Sequence, residues 1–132
     1  MDLTYSNHSV YSLNYHLVLV VAYRSKVMTP QVMARCIDIS ENIAQNAGLE
    51  IMEASGEPDH LHLLLSAKPD FNLCRFINFA KTVTSRLLKK DFPNIKQTLR
   101  KEKFWSASYY VATAGGAPLE TIKAYIENQG KD

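Results

Sequence analysis

The segment Asp59-His60-Leu61-His62-Leu63-Leu64-Leu65 constrains the backbone more than any other part of this chain. Side chains of a strand alternate between faces. Leu61, Leu63 and Leu65 therefore fall on one face, and His60 and His62 on the other. Such a strand needs an apolar layer against its leucine face and presents two imidazoles on its opposite face. Gly56-Glu57-Pro58-Asp59 is turn chemistry, and Leu49 to Ser55 reads as a preceding strand, so residues 49–67 are predicted to form a hairpin.

The rest of the chain supplies the layer. Residues 10–23 are rich in β-branched and aromatic types, and the run from Leu17 is apolar on both faces, as in a central strand. Thr29-Pro30 reads as a helix start, with Thr as N-cap and Pro in the first turn. Val32, Cys36, Ile39 and Ile43 then recur at helical spacing until Gly48. Asp70 is the expected cap of a second long helix, whose stripe is Leu73, Phe76, Ile77, Ala80, Val83, Leu87 and Leu88; Pro93 ends it. Residues 94–103 read as a basic connector and Phe104 to Thr113 as a fourth strand. Gly115-Gly116 breaks that strand, and Pro118 opens a final helix through Gln129. The order β-α-β-β-α-β, followed by one more helix, predicts an α+β fold. It is the ferredoxin-like antiparallel sheet with an added C-terminal helix. With 132 residues, 46% of them hydrophobic, the expectation is a single domain over residues 1–132.

The net charge of +2 conceals a local excess. Residues 1–74 carry 4 Lys/Arg and 8 Asp/Glu, a balance of −4. Residues 75–103 carry 9 and 2, a balance of +7, and residues 104–132 carry 2 and 3, a balance of −1. One basic block in a nearly neutral chain is the footprint of a polyanion surface, or of a solvated helix face and a charged loop. Arg75, Lys81, Arg86, Lys89 and Lys90 fall on or near the polar side of the second helix and are candidates to follow a DNA backbone. The longest apolar run, Leu17 to Tyr23, is far short of the ~20 residues of a membrane span, and no signal peptide is visible. Cys36 and Cys74 fit neither a disulfide framework nor a zinc pair, so a reduced, cytoplasmic protein is expected.

His60 and His62 lie roughly 7 Å apart along a strand rising ~3.3 Å per residue. They can converge on one cation, or stand as two partly exposed strand histidines. Two imidazoles leave a site incomplete. Tyr125 and Gln129, four apart on the last helix, share a face beside Leu119, Ile122 and Ile126. As an isolated pair they also fit an edge-of-core aromatic and a solvated amide. Asp59 either orients a histidine or belongs to the turn alone. His16 reads as a satisfied, partly buried strand histidine and His8 as exposed. Trp105, Tyr109 and Tyr110 are candidates to stack on unpaired bases or to pack the core. No Walker-type phosphate loop is present.

Taken together, these motifs have a specific order. His-hydrophobic-His preceded by Pro58-Asp59, then Tyr109-Tyr110-Val111-Ala112-Thr113-Ala114-Gly115, then Tyr125 and Gln129, resembles the HUH single-tyrosine transposases. The match is to the small TnpA-type enzymes of the IS200 group of insertion sequences. Tyr15-His16-Leu17-Val18 followed by Tyr23-Arg24 resembles that family's first strand, so the likeness covers roughly residues 10–129. Where the family usually has a bulky apolar residue before Pro-Asp-His, this chain has Glu57. The resemblance implies that His60 and His62 are metal ligands, Gln129 the third ligand and Tyr125 the nucleophile. It implies cleavage and rejoining of single-stranded DNA through a 5′-phosphotyrosine, with hairpins near the element ends recognised. It also implies a homodimer in which the tyrosine helix reaches the histidines of the other subunit, for which Gly115-Gly116 would be the tether. Mixed imidazole and amide ligation suits Mn2+, accepts Mg2+, and is chemically open to zinc. Two alternatives are a domesticated, repeat-associated tyrosine nuclease and a non-catalytic RNA- or DNA-binding module of the same topology.

Overall fold

The computed structural model describes residues 4–5, 10–11, 13–114 and 119–128. Its main sheet holds β1 (Asn14–Val20), β2 (Glu50–Glu57), β3 (His60–Ser66) and β4 (Tyr110–Thr113). Its long helices are α1 (Pro30–Ala47) and α2 (Leu73–Asp91), and a shorter α3 (Leu119–Asn128) follows the last strand. The spatial order is β2-β3-β1-β4, and every neighbouring pair is antiparallel. This is the expected ferredoxin-like arrangement. Thr4–Tyr5 and Val10–Tyr11 form a separate two-stranded ribbon.

β1 is central, which explains its apolar run. Leu17 and Leu19 join Leu61, Leu63 and Leu65 of β3 under α1 and α2, while Val18 and Val20 point to the opposite face, under Tyr125 and Ile126 of α3. Burying each leucine is worth roughly 1.5–3 kcal/mol, so the leucine face of β3 fixes its register against the helices. α1 begins as expected: the Thr29 hydroxyl accepts from the Val32 amide at 3.2 Å. It ends at Gly48, whose φ of 79° lets its amide bond back to the last turn.

Four boundaries differ from expectation. Asn72, not Asp70, caps α2: its side-chain oxygen accepts from the Arg75 amide at 3.0 Å, three residues on, which Asp70 is too early in the chain to reach. The hairpin turn is two residues, Pro58-Asp59, because Gly56 and Glu57 are already paired with Leu61 and His60. The basic connector is partly ordered, with a helical turn at Ile95–Thr98 whose Ile95 is buried. The fourth strand is only Tyr110–Thr113. Phe104 to Ser106 do meet the end of β1, with a bridge between Val21 and Trp105 and the Ser106 amide donating to the Val20 carbonyl at 2.8 Å. The chain between Trp105 and Tyr110 has more residues than the stretch of β1 it faces, so regular pairing resumes only at Tyr110, opposite Val18. The Lys81 ammonium donates to the carbonyls of Ser106 and Ala107 at 2.9 and 3.0 Å, and the Trp105 indole donates to the Thr84 hydroxyl at 2.9 Å. Gly115, Gly116 and Pro118 lie outside the described residues. Among the described residues no helix is long and apolar enough to cross a membrane.

Candidate functional site

Antiparallel pairing places Val18 opposite His62 and Val20 opposite His60, so both histidines stand on the face away from α1 and α2. Both are half-buried. The His60 Nδ1 lies 2.9 Å from a carboxylate oxygen of Asp59. The other oxygen of Asp59 accepts from the Arg24 guanidinium at 3.2 Å. Arg24 reaches it from a turn in which Tyr23 and Arg24 have φ of 58° and 53°, the left-handed region that non-glycine residues seldom occupy. Burial pushes the Asp59 carboxyl upward, but the hydrogen bonds from His60 and Arg24 outweigh it and hold the group below its ordinary value. Asp59 is therefore a buried carboxylate with both oxygens engaged.

His62 has a different partner. Its Nε2 lies 3.0 Å from the Nδ1 of His16, two residues along β1 from its direct opposite, Val18. Burial foremost, then the charges of His16 and His60, lower the His62 pKa and favour the neutral ring. Neutral imidazole is the form that binds metal.

These groups line a cavity of about 370 Å³ whose walls are Val18, Arg24, Glu57, Asp59, His60 and His62, closed by Lys123, Ile126 and Glu127 of α3. One donor atom each from Glu57, Asp59 and His60 lies within 4.8 Å of the others. The carboxylate on His60 Nδ1 leaves its Nε2 for a cation, the arrangement commonly seen behind metal-bound histidine. The donor set fits a divalent cation. His62 shares the cavity wall, with its Nε2 directed at His16.

Tyr125 lies on the same face of the sheet but turns toward β4. Its ring sits 5.2 Å from that of Tyr110, and its hydroxyl is 3.2 Å from the Ser108 hydroxyl. The α3 residues facing the cavity are Lys123, Ile126 and Glu127. Thus Tyr125 and the two histidines occupy one face of the sheet, and Tyr125 is not among the described residues that line the histidine cavity. Gln129 lies outside the described residues.

The basic residues gather on the helical side of the sheet. Lys81, Arg86, Lys89 and Lys90 of α2, with Lys96 and Lys103 of the connector, line a groove of about 760 Å³ floored by Phe104 and Trp105. Arg75 is not part of it and borders a separate, largely apolar groove with Phe71, Phe76 and Phe79. Tyr109 is not stacked outward; its hydroxyl points to the Cys74 sulfur at 3.4 Å.

Sequence patterning did not anticipate His16, Arg24 or Glu57 as residues of this site. His16 and Arg24 carried a signal, since Tyr15-His16-Leu17-Val18 and Tyr23-Arg24 belonged to the family-like opening motif. The contact of His16 with His62, and the face on which Glu57 stands, required the strand register.

Comparison with known proteins bears on this geometry. Residues 9–129 match the family described as Transposase IS200 like. The chain is 36% identical over 120 residues to the ISDra2 transposase TnpA of Deinococcus radiodurans, covering 91% of this chain and 86% of that protein. It is 28% identical over 122 residues to the transposase for insertion sequence element IS200 of Salmonella typhimurium, covering 92% and 80%. Its fold superposes on a crystal structure of a candidate transposase from Deinococcus radiodurans R1 with a TM-score of 0.87 and 34% identity, over 95% of this chain and 96% of that one.

Proposed function

This chain belongs to the IS200-like transposase family, and from that premise we propose that it cuts and rejoins single-stranded DNA by metal-assisted transesterification, acting as one domain over residues 1–132 in the cytoplasm. Tyr125 is the nucleophile. Its oxygen forms a bond to phosphorus while the bond from phosphorus to the 3′ oxygen breaks, and the phenol proton passes in net terms to the leaving 3′ oxygen. The 5′-phosphotyrosine that results keeps the energy of the phosphodiester, so rejoining requires no nucleotide cofactor.

His60, His62 and Gln129 hold the cation, Mg2+ or Mn2+. When bound, it supplies positive charge to the phosphoryl oxygens. Asp59 fixes the tautomer of His60 by accepting from Nδ1, and Arg24 keeps Asp59 ionised. The observation that most supports this reading is the Arg24–Asp59–His60 relay at the wall of a cavity that also receives His62. Lys81, Arg86, Lys89 and Lys90, and Arg75 at the far end of α2, contact the DNA backbone. Hairpins near the element ends are the recognised structure. The active unit is a homodimer in which Tyr125 serves the histidines of the other subunit. The turn of Tyr125 toward Ser108 within its own chain supports that arrangement.

The test is incubation of the protein with labelled single-stranded oligonucleotides containing hairpins, with Mn2+, followed by denaturing electrophoresis. A covalent adduct is expected with the native chain and none with Tyr125→Phe or in excess chelator. An adduct that survives in Tyr125→Phe, or that maps to Tyr109 or Tyr110, would remove Tyr125 from the role.

A further inference from the structure

Glu57 is the last residue of β2, and the backbone turns it toward the histidines. Ile51 of β2 pairs with Leu65 and faces the helices. Strict alternation from Ile51 would send residues 53, 55 and 57 to that same core face. The register shifts between Ile51 and Glu53, so Met52 is an extra residue. Beyond the bulge, Glu53, Ser55 and Glu57 stand opposite Leu64, His62 and His60, on the face that carries the cavity. The end of the hairpin is pinned in this position. A Cβ added at Gly56 would meet the terminal methyl of Met33 at 2.7 Å and also the carbonyl oxygen of His60. Glu57 and His60 are thus a closing cross-strand pair with side chains on one face.

The two carboxylates beside His60 differ in what they can still bind. Asp59 has one oxygen on His60 and the other on Arg24. Glu57 is exposed, lines the cavity, and among the described residues its carboxylate is engaged by no hydrogen bond or ion pair. One oxygen of Glu57 lies within 4.8 Å of a carboxylate oxygen of Asp59 and of one ring nitrogen of His60. Two ligands on one cation at ~2.0–2.2 Å are separated by at most about 4.3 Å, so the exposed Glu57 side chain is at the right scale of distance to join His60 on one cation.

We propose that Glu57 is a ligand of the divalent cation held by His60 and His62. The inference rests on the reading of those histidines given above and deepens it. Neutral imidazoles and an amide bring no negative charge to a cation, so Glu57 supplies the anionic oxygen of the set. Carboxylate oxygen favours Mn2+ and Mg2+, whereas imidazole favours Ni2+. Glu57 therefore sets the metal preference of this chain.

The test is titration of the full chain, without DNA, with Mn2+ and with Ni2+ by calorimetry, and with Co2+ by visible absorption, comparing the native chain, Glu57→Gln and His60→Ala. Gln is nearly isosteric and the position is exposed, so the fold is retained. Glu57→Gln should weaken Mn2+ binding about tenfold or more and Ni2+ binding less than about threefold, and should change the Co2+ bands. His60→Ala should abolish binding of all three. If His60→Ala abolishes binding while Glu57→Gln keeps native Mn2+ affinity and an unchanged Co2+ spectrum, Glu57 is not a ligand. Equal weakening of all three metals with an unchanged spectrum also overturns the proposal, since it marks a charge acting at a distance. If His60→Ala leaves binding intact, the histidine centre itself fails, and this inference fails with it.

Discussion

His16 and His62 are joined by a 3.0 Å contact between Nδ1 and Nε2, across two neighbouring strands and 46 residues of chain. Their ring centroids are 5.1 Å apart. The contact commits the Nε2 of His62 to another protein group, while His60 has its Nδ1 on Asp59 and its Nε2 available. The two histidines of one short motif are therefore not equivalent: one is pre-oriented by a carboxylate, the other is restrained by an imidazole.

A cation that takes the Nε2 of His62 must displace His16. His16→Phe keeps an aromatic ring in the space and removes the competing nitrogen. A net hydrogen bond is worth about 0.5–1.5 kcal/mol, so Mn2+ binding should tighten by roughly two- to tenfold. Calorimetric titration of the two proteins measures this. Weaker binding in the variant would mean that His16 holds His62 in position for the cation rather than away from it.

The basic residues proposed to contact DNA differ in what the fold already asks of them. Lys81 donates to two backbone carbonyls, at 2.9 and 3.0 Å, in the segment that takes the place of an extended fourth strand. Lys81→Ala should cost about 1–2 kcal/mol in urea unfolding. Lys89→Ala and Lys90→Ala should each stay within about 0.5 kcal/mol of the native chain. Each should instead lower the slope of log affinity for a hairpin oligonucleotide against log salt by ~0.7–0.9. An unchanged salt slope in the Lys89→Ala, Lys90→Ala double variant would move the DNA surface elsewhere.

The two thiols should behave differently. Cys36 is fully buried in α1, and desolvation pushes its pKa up to about 12. Cys74 is exposed at the start of α2. An aromatic disulfide reagent at pH 8 should modify Cys74 in the folded chain and reach Cys36 only in denaturant. The sign of the linkage follows from the raised value. The contribution of Cys36 to stability is complete below the ordinary thiol range near ~8.5 and declines as pH rises from there toward 12. Rapid labelling of both thiols in the native protein would contradict this packing.

Period-two alternation made the histidine face of β3 legible, and the both-sided apolar run of Leu17 to Tyr23 marked β1 as central, because each pattern admits few burial arrangements. The His16–His62 contact was not legible. It depends on β1 and β3 being neighbours in a register that aligns Val18 with His62, a property of the assembled sheet. Glu57 was hidden because it read as part of the turn, and because the bulge at Met52 reverses the face of everything after it in the strand. The fourth strand was overextended because Phe104 to Tyr109 has strand-forming composition. Phe104 to Ser106 do pair with the end of β1, but surplus residues before Tyr110 interrupt the ladder, and the Lys81 ammonium takes the Ser106 and Ala107 carbonyls in that interruption.

The placement of Tyr125 leads to the last prediction. Its hydroxyl is 3.2 Å from Ser108, while the α3 residues facing the His60 and His62 cavity are Lys123, Ile126 and Glu127. If each active site takes its tyrosine from the other subunit, a mixed dimer decides the matter. One chain carries Tyr125→Phe and the other carries His60→Ala with His62→Ala, with different tags for purification. Each homodimer is inactive under either arrangement. Within-chain sites leave both centres of the heterodimer lacking an essential group. Between-chain sites give one centre with intact histidines and an intact tyrosine, and one with neither. The expected result is adduct formation at about half the native level per dimer, because one of two centres is restored. Phe for Tyr removes only a hydroxyl from a half-buried ring, so the fold and hairpin binding of that chain should persist. A heterodimer that binds hairpin DNA and is as inactive as its parents would place Tyr125 in service of its own chain.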